Sequence, residues 1–230
     1  MNVSPLEILT IVFYVLIILF SLSFHESAHA YVADKLGDPT ARMLGRVTLN
    51  PIPHIDILGT IIVPLAMAIF HGPIFGWAKP VPTISRNFKN VRRDEALTAL
   101  AGPASNLLLV FVGTLILIVI QAVIGRAALH NQLNTQYSIG WGVFMFAYLN
   151  LILAAFNLIP VPPLDGSWIL SAVLPYKASQ AYESIRRYAW IFLLIIFLTP
   201  IFNPVLFFVL RTLSIGLIFY PLHLAGMVMG

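Results

Sequence analysis

Cysteine is missing from the 230-residue chain, and charged residues are scarce, at 10% of the sequence. The first absence excludes disulfides and thiolate ligands, so any metal must be held by histidine and carboxylate. The second falls well below the share of about a quarter that soluble domains carry, while hydrophobic residues make up 59%. Lipid is therefore expected to surround most of the chain, which predicts an all-α, polytopic membrane protein.

Basic residues lie in short loops between apolar runs and give a net charge of +4. This placement is typical of loops that anchor a membrane protein on its cytoplasmic side, and it does not indicate a nucleic-acid partner. We expect five to six apolar segments in one integral-membrane domain over residues 1–230. The clearest segments are Ile8–Phe24, Ile57–Trp77, Ala96–Gly125, Ile139–Leu164 and Tyr188–Leu210, followed by an apolar tail.

The second apolar run, Ile57–Trp77, has basic clusters on both sides. If it crossed the bilayer, one cluster would lie on the wrong side, so we expect it to dip into the membrane and return, with a full crossing as the alternative. Pro64 and Pro73 suit such a broken segment. This topology puts the N-terminus outside the cell membrane and residues 34–94 on its cytoplasmic face.

Two short pieces in the cytoplasmic stretch favour extended backbone. "GRVTLNP" (Gly45–Pro51) alternates with β-branched residues, and "GWAKPVPTI" (Gly76–Ile84) carries prolines that restrict it to the edge of a sheet. A small membrane-associated β element is predicted from them.

Two histidines and a glutamate follow the first apolar run in "HESAH". The i, i+4 spacing places the imidazoles of His25 and His29 on one helical face, where both can bind one Zn²⁺. Glu26 lies roughly 100° around the helix, near the metal without being forced into its ligand set. Three ionisable groups so close together on a membrane helix are costly and usually functional. The pattern therefore predicts a hydrolytic zinc centre toward the cytoplasmic side, in preference to a helix end that merely meets headgroups.

A catalytic zinc commonly takes three protein ligands and keeps one position for water. The candidates for the third ligand are His54, Asp56, His71, His130, Asp165 and His223. Asp165 stands out because three prolines break the apolar helix before it and leave a lone carboxylate that needs a partner. His54 and Asp56, in the turn "PHID", are its closest rivals, and the remaining histidines fit interfacial positions.

Three motifs follow one another on three apolar runs: "FHESAHAYVADKLGD", "AGPASN" (Ala101–Asn106) and "NLIPVPPLDG" (Asn157–Gly166). Together they resemble the site-2 protease family of intramembrane zinc metalloproteases. The resemblance covers about residues 20–175. "GRVTLNP" and "GWAKPVP" are further similar to the compact prokaryotic members, without a PDZ or CBS domain.

The resemblance implies one Zn²⁺ per chain, bound within a three-helix catalytic core. Its implied site residues are the zinc ligands His25, His29 and Asp165 and the catalytic base Glu26. It also suggests that Asn106 or Asn157 touches the substrate backbone or the oxyanion, although either asparagine could equally bond a neighbouring helix. The catalytic core is expected at about 6–175 and peripheral helices at about 186–224.

The predicted function is hydrolysis of peptide bonds in or near transmembrane segments of membrane-anchored protein substrates. A substrate helix hides its carbonyls in its own hydrogen bonds, so it must unwind, and an edge strand at "GRVTLN" or "AKPVPT" would replace those bonds. The alternatives are a zinc-binding membrane transporter and a pseudoprotease that binds helices without cutting them. Glu26 favours hydrolysis, which needs a base that does not ligate the metal. No sequence feature indicates the oligomeric state.

Overall fold

The computed structural model describes residues 4–69, 76–135, 137–189, 191 and 202–228. These residues form ten α-helices: α1 (Pro5–Lys35), α2 (Thr40–Met43), α3 (Val63–Ile69), α4 (Val91–Ile124), α5 (Arg126–Leu133), α6 (Ile139–Asn157), α7 (Asp165–Val173), α8 (Tyr176–Ser184), α9 (Phe202–Ser214) and α10 (Tyr220–Val228). Single turns of 3-10 helix lie at Ile52–His54, Ser85–Asn87 and Ile185–Tyr188, and π-helix at Ile57–Ile62 and Ile215–Phe219.

Four helical stretches in the described residues are long and apolar enough to cross a membrane: α1, α4, α6 and Phe207–Met227, which joins α9 to α10. The chain is therefore a multi-pass, all-α membrane protein, as the composition predicts. A shorter apolar helix covers Ile57–Ala66. The predicted run Tyr188–Leu210 falls largely on residues outside the described ranges. The predicted number of five to six apolar segments is therefore not confirmed by the four spans found in the described residues.

Helix α1 is fixed at both ends by local sequence. Ser4 and Glu7 form a capping box, in which each side chain accepts a hydrogen bond from the other residue's backbone N–H. The helix then runs for 31 residues and ends before Gly37, whose φ of +111° favours glycine. After the turn at Gly37, the fully buried Asp38 accepts hydrogen bonds from the Ile84 N–H and from Asn87, at the two ends of the 3-10 turn.

Helix α4 organises the bundle because it packs against α1, α6 and α7. Small residues allow close approach: a Cβ on Gly113 would lie 2.9 Å from the Ala147 Cβ of α6. The buried apolar core joins α4, α5, α6 and the last helices through Val110, Leu117, Leu129, Ala147, Leu151, Leu210, Ile218 and Leu222. The three helices that carry the sequence motifs are thus held side by side.

The prediction of a small β element is corrected by the structure, because the described residues contain no strand. Gly45–Pro51 forms turns and bends, and Gly76–Ile84 is extended without pairing to another strand. Pro80 and Pro82 remove two of the N–H groups that a ladder would need. Other hydrogen bonds of these two pieces go to side chains, as where His54 Nε2 donates to the Thr48 carbonyl at 2.9 Å, or to loop carbonyls.

The two ends of the second apolar run meet. The Trp77 N–H donates to the Gly59 carbonyl at 3.2 Å, and the Lys79 N–H donates to the His54 carbonyl at 2.8 Å. Gly59 makes this contact possible, since a Cβ there would lie 2.3 Å from the Trp77 indole. The chain therefore returns to the place where the run began.

Candidate metal centre

His25, His29 and Asp165 converge between α1 and the start of α7. The Nε2 atoms of the two histidines lie 3.0 Å apart. Asp165 Oδ2 lies 3.2 Å from His25 Nε2 and 3.4 Å from His29 Nε2. The two histidines are 4% and 8% exposed. In the described part of the chain, this is the group of three such side chains whose ligand atoms lie close enough to hold one metal ion.

Asp165 reaches the histidines because α6 ends early. The helix stops at Asn157, before the prolines that begin at Pro160, and α7 starts at Asp165 itself. A Cβ on Gly166 would lie 2.3 Å from the Leu158 carbonyl oxygen, so glycine is needed for this close packing. Arg92 of α4 donates to the Ser171 carbonyl at 2.8 Å and holds the other end of α7 in place.

The outer nitrogens of both imidazoles are fixed by α4. His25 Nδ1 lies 2.5 Å from Asn106 Oδ1, and His29 Nδ1 lies 2.6 Å from the Thr98 carbonyl oxygen. Both partners are acceptors, so each Nδ1 carries the proton and donates. In the neutral ring each Nε2 then presents a lone pair toward Asp165, which is the state that binds a metal.

Gly102 of α4 makes room for the two rings. A Cβ at this position would lie 2.3 Å from His29 Nε2 and 2.5 Å from His25 Cε1. Such separations are far inside van der Waals contact, so any side chain would displace the imidazoles. The third apolar run therefore supplies both the hydrogen-bond partners of the histidines and the space in which they meet.

The cluster fits a zinc ion in both spacing and chemistry. Ligands around a tetrahedral zinc, at about 2.0–2.1 Å from the metal, lie about 3.3 Å from one another, close to the observed separations. Asp165 Oδ2 is buried and accepts no hydrogen bond, a costly arrangement unless a cation satisfies it.

Glu26 stands beside the cluster without joining it. Its Oε2 accepts a hydrogen bond from the Val81 N–H at 3.2 Å. Val81 lies in the extended segment Gly76–Ile84, which Asp38 holds by accepting from the Ile84 N–H at 2.6 Å. The arrangement leaves a carboxylate next to a metal centre and outside its ligand set, as the helical position of Glu26 predicts.

The rival ligands are engaged elsewhere or lie at the surface. His54 is buried and bonded to Thr48, and Asp56 caps the π-helical turn by accepting from the Gly59 N–H at 2.7 Å. His130 is exposed on α5, and His223 Nδ1 lies 3.1 Å from an Arg126 nitrogen. His71 lies outside the described residues.

The two candidate asparagines occupy different surroundings. Asn106 is fully buried, and its Nδ2 donates to Asn150 Oδ1 at 2.8 Å. Asn157 is half-buried on the last turn of α6 and donates to the Leu153 carbonyl at 2.9 Å. Sequence reasoning overlooked Asn150, which lies two turns before Asn157 on α6. It also overlooked the roles of Thr98, Gly102 and Val81, since none carries a motif of its own.

Membrane-spanning helices that enclose two histidines, a carboxylate and an adjacent glutamate define an intramembrane metalloprotease as the class of protein. The model of peptidase family M50 matches residues 123–199, which include Asp165. "Putative zinc metalloprotease YwhC" of Bacillus subtilis (strain 168) is 40% identical over 194 residues, covering 84% of this chain and 83% of the relative. The chain belongs to peptidase family M50, the site-2 proteases, and is an intramembrane zinc metalloprotease.

Two relatives of lower sequence identity are also named as zinc metalloproteases. "Putative zinc metalloprotease Rip2" of Mycobacterium tuberculosis (strain ATCC 25618 / H37Rv) is 28% identical over 209 residues, covering 90% of this chain and 72% of the relative. The protein of that name from Mycolicibacterium smegmatis is 25% identical over 186 residues, covering 80% and 66%. No solved structure matches. The transporter and pseudoprotease alternatives gain no support from these relatives.

Proposed function

We propose that His25, His29 and Asp165 hold the catalytic Zn²⁺ and that Glu26 is the general base. The observation that carries this assignment is the convergence of two Nε2 lone pairs on a buried carboxylate oxygen that has no hydrogen bond. A bound Zn²⁺ supplies Lewis-acid activation of water and of the scissile carbonyl. Glu26 takes a proton on its carboxylate from the attacking water and delivers it to the leaving amine.

The substrate is a membrane-anchored protein, cut in or near its transmembrane segment. We assign to Asn157 a contact with the substrate backbone; its support is the half-buried position of the amide at the end of α6, where the chain turns toward Asp165. Asn106 has both ends of its amide occupied by His25 and Asn150. We therefore assign to Asn106 the orientation of His25 in place of a contact with the substrate.

The N-terminus of α1 lies outside the cell membrane and the metal centre lies toward the cytoplasmic side. The run Ile57–Trp77 enters the membrane and returns on the same side. Support comes from the meeting of its two ends at Gly59 and Trp77 and from the basic residues that flank it on both sides. A helix that crossed the hydrocarbon layer would separate those ends by about 30 Å.

Substitution of Glu26 tests the proposed function. Glu26→Gln is expected to keep its zinc, because the three ligands remain, and to lose cleavage of single-span substrates in reconstituted membranes by about 10²–10⁴-fold. Glu7→Gln, on the same helix and far from the metal, is the matched control. Asp165→Ala is expected to lose both zinc and activity, with Asp165→Asn intermediate in metal content. Undiminished cleavage by Glu26→Gln would refute its role as the base.

A further inference from the structure

Four buried side chains are joined by three hydrogen bonds that run through the three core helices and return to the first. From His25 on α1 the path runs to Asn106 on α4 at 2.5 Å, then to Asn150 on α6 at 2.8 Å. Asn150 Nδ2 returns to α1 by donating to Ser21 Oγ at 2.9 Å. Ser21 lies one turn before His25, and the side chains of Ser21, Asn106 and Asn150 are fully buried. The path therefore begins and ends on the same face of α1.

A contact of Asn150 with the backbone of its own helix fixes the direction of the hydrogen bonds from Asn150 to Asn106 and from Asn106 to His25. Asn150 Nδ2 also lies 2.9 Å from the Phe146 carbonyl oxygen, which can only accept. The amide nitrogen of Asn150 must face Phe146, so its Oδ1 faces Asn106. Asn106 then presents Nδ2 to Asn150 and Oδ1 to His25.

His25 is therefore constrained to carry its proton on Nδ1. An Asn106 amide turned the other way would place an N–H against Nδ1 and would favour the tautomer protonated on Nε2, which cannot bind a metal through that atom. We propose that Asn150 is a positioning residue for the metal centre: acting through Asn106, it holds His25 in the tautomer whose Nε2 is free to bind Zn²⁺. This proposal rests on the assignment of His25 as a zinc ligand.

Zinc affinity, measured without reference to proteolysis, tests the proposal. In the Glu26→Gln background, competition with a chelator is expected to show about 10- to 100-fold weaker zinc binding for Asn150→Ala, the range for loss of a group that orients a ligand. Gln121→Ala is the matched control. Gln121 is another buried amide of α4 that donates across helices, to the Leu222 carbonyl at 3.0 Å, and it is remote from the metal centre. Equal losses in both variants would overturn the proposal, because they would indicate general loosening of the bundle.

A double variant separates action through Asn106 from a direct effect. If Asn150 acts through Asn106, then Asn106→Ala with Asn150→Ala binds zinc no more weakly than Asn106→Ala alone. Additive losses would overturn that route. The proposal would also fail if Asn150→Ala kept wild-type affinity.

The tautomer itself is measurable in metal-free protein. Nitrogen-15 spectra of histidine-labelled protein, with the His25 signals identified by their loss in His25→Ala, are expected to show the proton on Nδ1 in the parent and a second tautomer in Asn150→Ala. An unchanged tautomer would overturn the proposal even if affinity fell. Failure of the proposed catalytic roles is seen separately, in the cleavage assay of Glu26→Gln.

Discussion

The Val81 N–H donates to the Oε2 of Glu26 at 3.2 Å, and it is the single N–H of the tripeptide Pro80-Val81-Pro82. The tripeptide thus directs its single N–H at the proposed base. Its position is held on either side, by the Lys79 N–H on the His54 carbonyl and the Ile84 N–H on Asp38. A carboxylate beside a metal can rotate toward the ligand set, and this bond opposes such rotation.

Removal of the Val81 N–H is expected to lower kcat about ten- to hundredfold, because the base loses its orientation. Val81→Pro removes the N–H, and an amide-to-ester replacement at the Pro80–Val81 bond removes it without changing the shape of the segment. Val81→Ala keeps the N–H and is the control. Cleavage rates and zinc content are measured together, with zinc expected to stay constant. Equal rates in the ester variant and the control would contradict the role of this bond.

Gly102→Ala is expected to abolish zinc binding, since the added methyl would lie 2.3 Å from His29 Nε2. Two other glycines provide controls. Gly113→Ala crowds the contact between α4 and α6 at 2.9 Å, away from the metal, and Gly216→Ala meets no atom within 4 Å. Metal analysis of the purified variants should show loss for Gly102 alone. Retention of stoichiometric zinc by Gly102→Ala would mean that the imidazoles lie elsewhere.

Asp38 is expected to make stability depend on pH. Burial raises its pKa, but hydrogen bonds from Thr40, Asn87 and the Ile84 N–H outweigh burial and hold the pKa below its usual range. A carboxyl with a lowered folded pKa stabilises the fold above its unfolded pKa of about 3.9 and loses this effect as the pH falls through the folded value.

Asp38→Asn is therefore expected to unfold at a lower temperature than the parent at pH 6–7, by a free energy on the order of 1–3 kcal/mol for donors left without the carboxylate. The difference should shrink below about pH 4, where Asp38 of the unfolded parent becomes protonated, and fall further as the pH approaches the lower folded pKa. Scanning fluorimetry of the tryptophans in detergent measures both proteins. A difference that stays constant down to pH 3 would contradict the assignment to Asp38.

The absence of cysteine allows the sidedness of the second apolar run to be tested with single introduced thiols. Met43→Cys, at a residue that is 80% exposed, and Lys89→Cys lie before and after Ile57–Trp77. Both are expected to react from one side of the membrane with an impermeant maleimide, and His130→Cys, beyond α4, from the other. Labelling of Met43→Cys and Lys89→Cys from opposite sides would show that the run crosses.

Features that depend on one helix were predictable from the sequence. The i, i+4 spacing of His25 and His29 brings the two rings together in any α-helix, and the prolines after Asn157 end α6 wherever it packs. The apolar runs likewise predicted α1, α4 and α6, although α4 begins at Val91 and continues through Pro103. The long-range pairing with Asp165 needed the resemblance to a family as well.

Features that depend on how two helices face each other were not predictable. Asn106 meets Asn150 only because α4 and α6 pack in one particular register, and a lone asparagine in an apolar run carries no local signal of its partner. The mistaken β element has a similar cause. Extended backbone was correctly predicted at Gly76–Ile84. Whether its N–H donors meet a strand, or instead side chains and loop carbonyls, is decided by what packs beside it.

If the histidines of α1 bind the catalytic zinc, the length of this helix determines the depth at which a substrate is cut. About 20 residues separate Pro5 from His25, and at 1.5 Å per residue they extend about 30 Å, the full thickness of the hydrocarbon layer. We therefore expect the histidines to lie near one boundary of that layer and not at its midplane. Water can reach such a level without a long channel, and a client helix needs to fray only at its tip. Bonds in the middle of a client's span would come within reach only if that helix slid along its own axis.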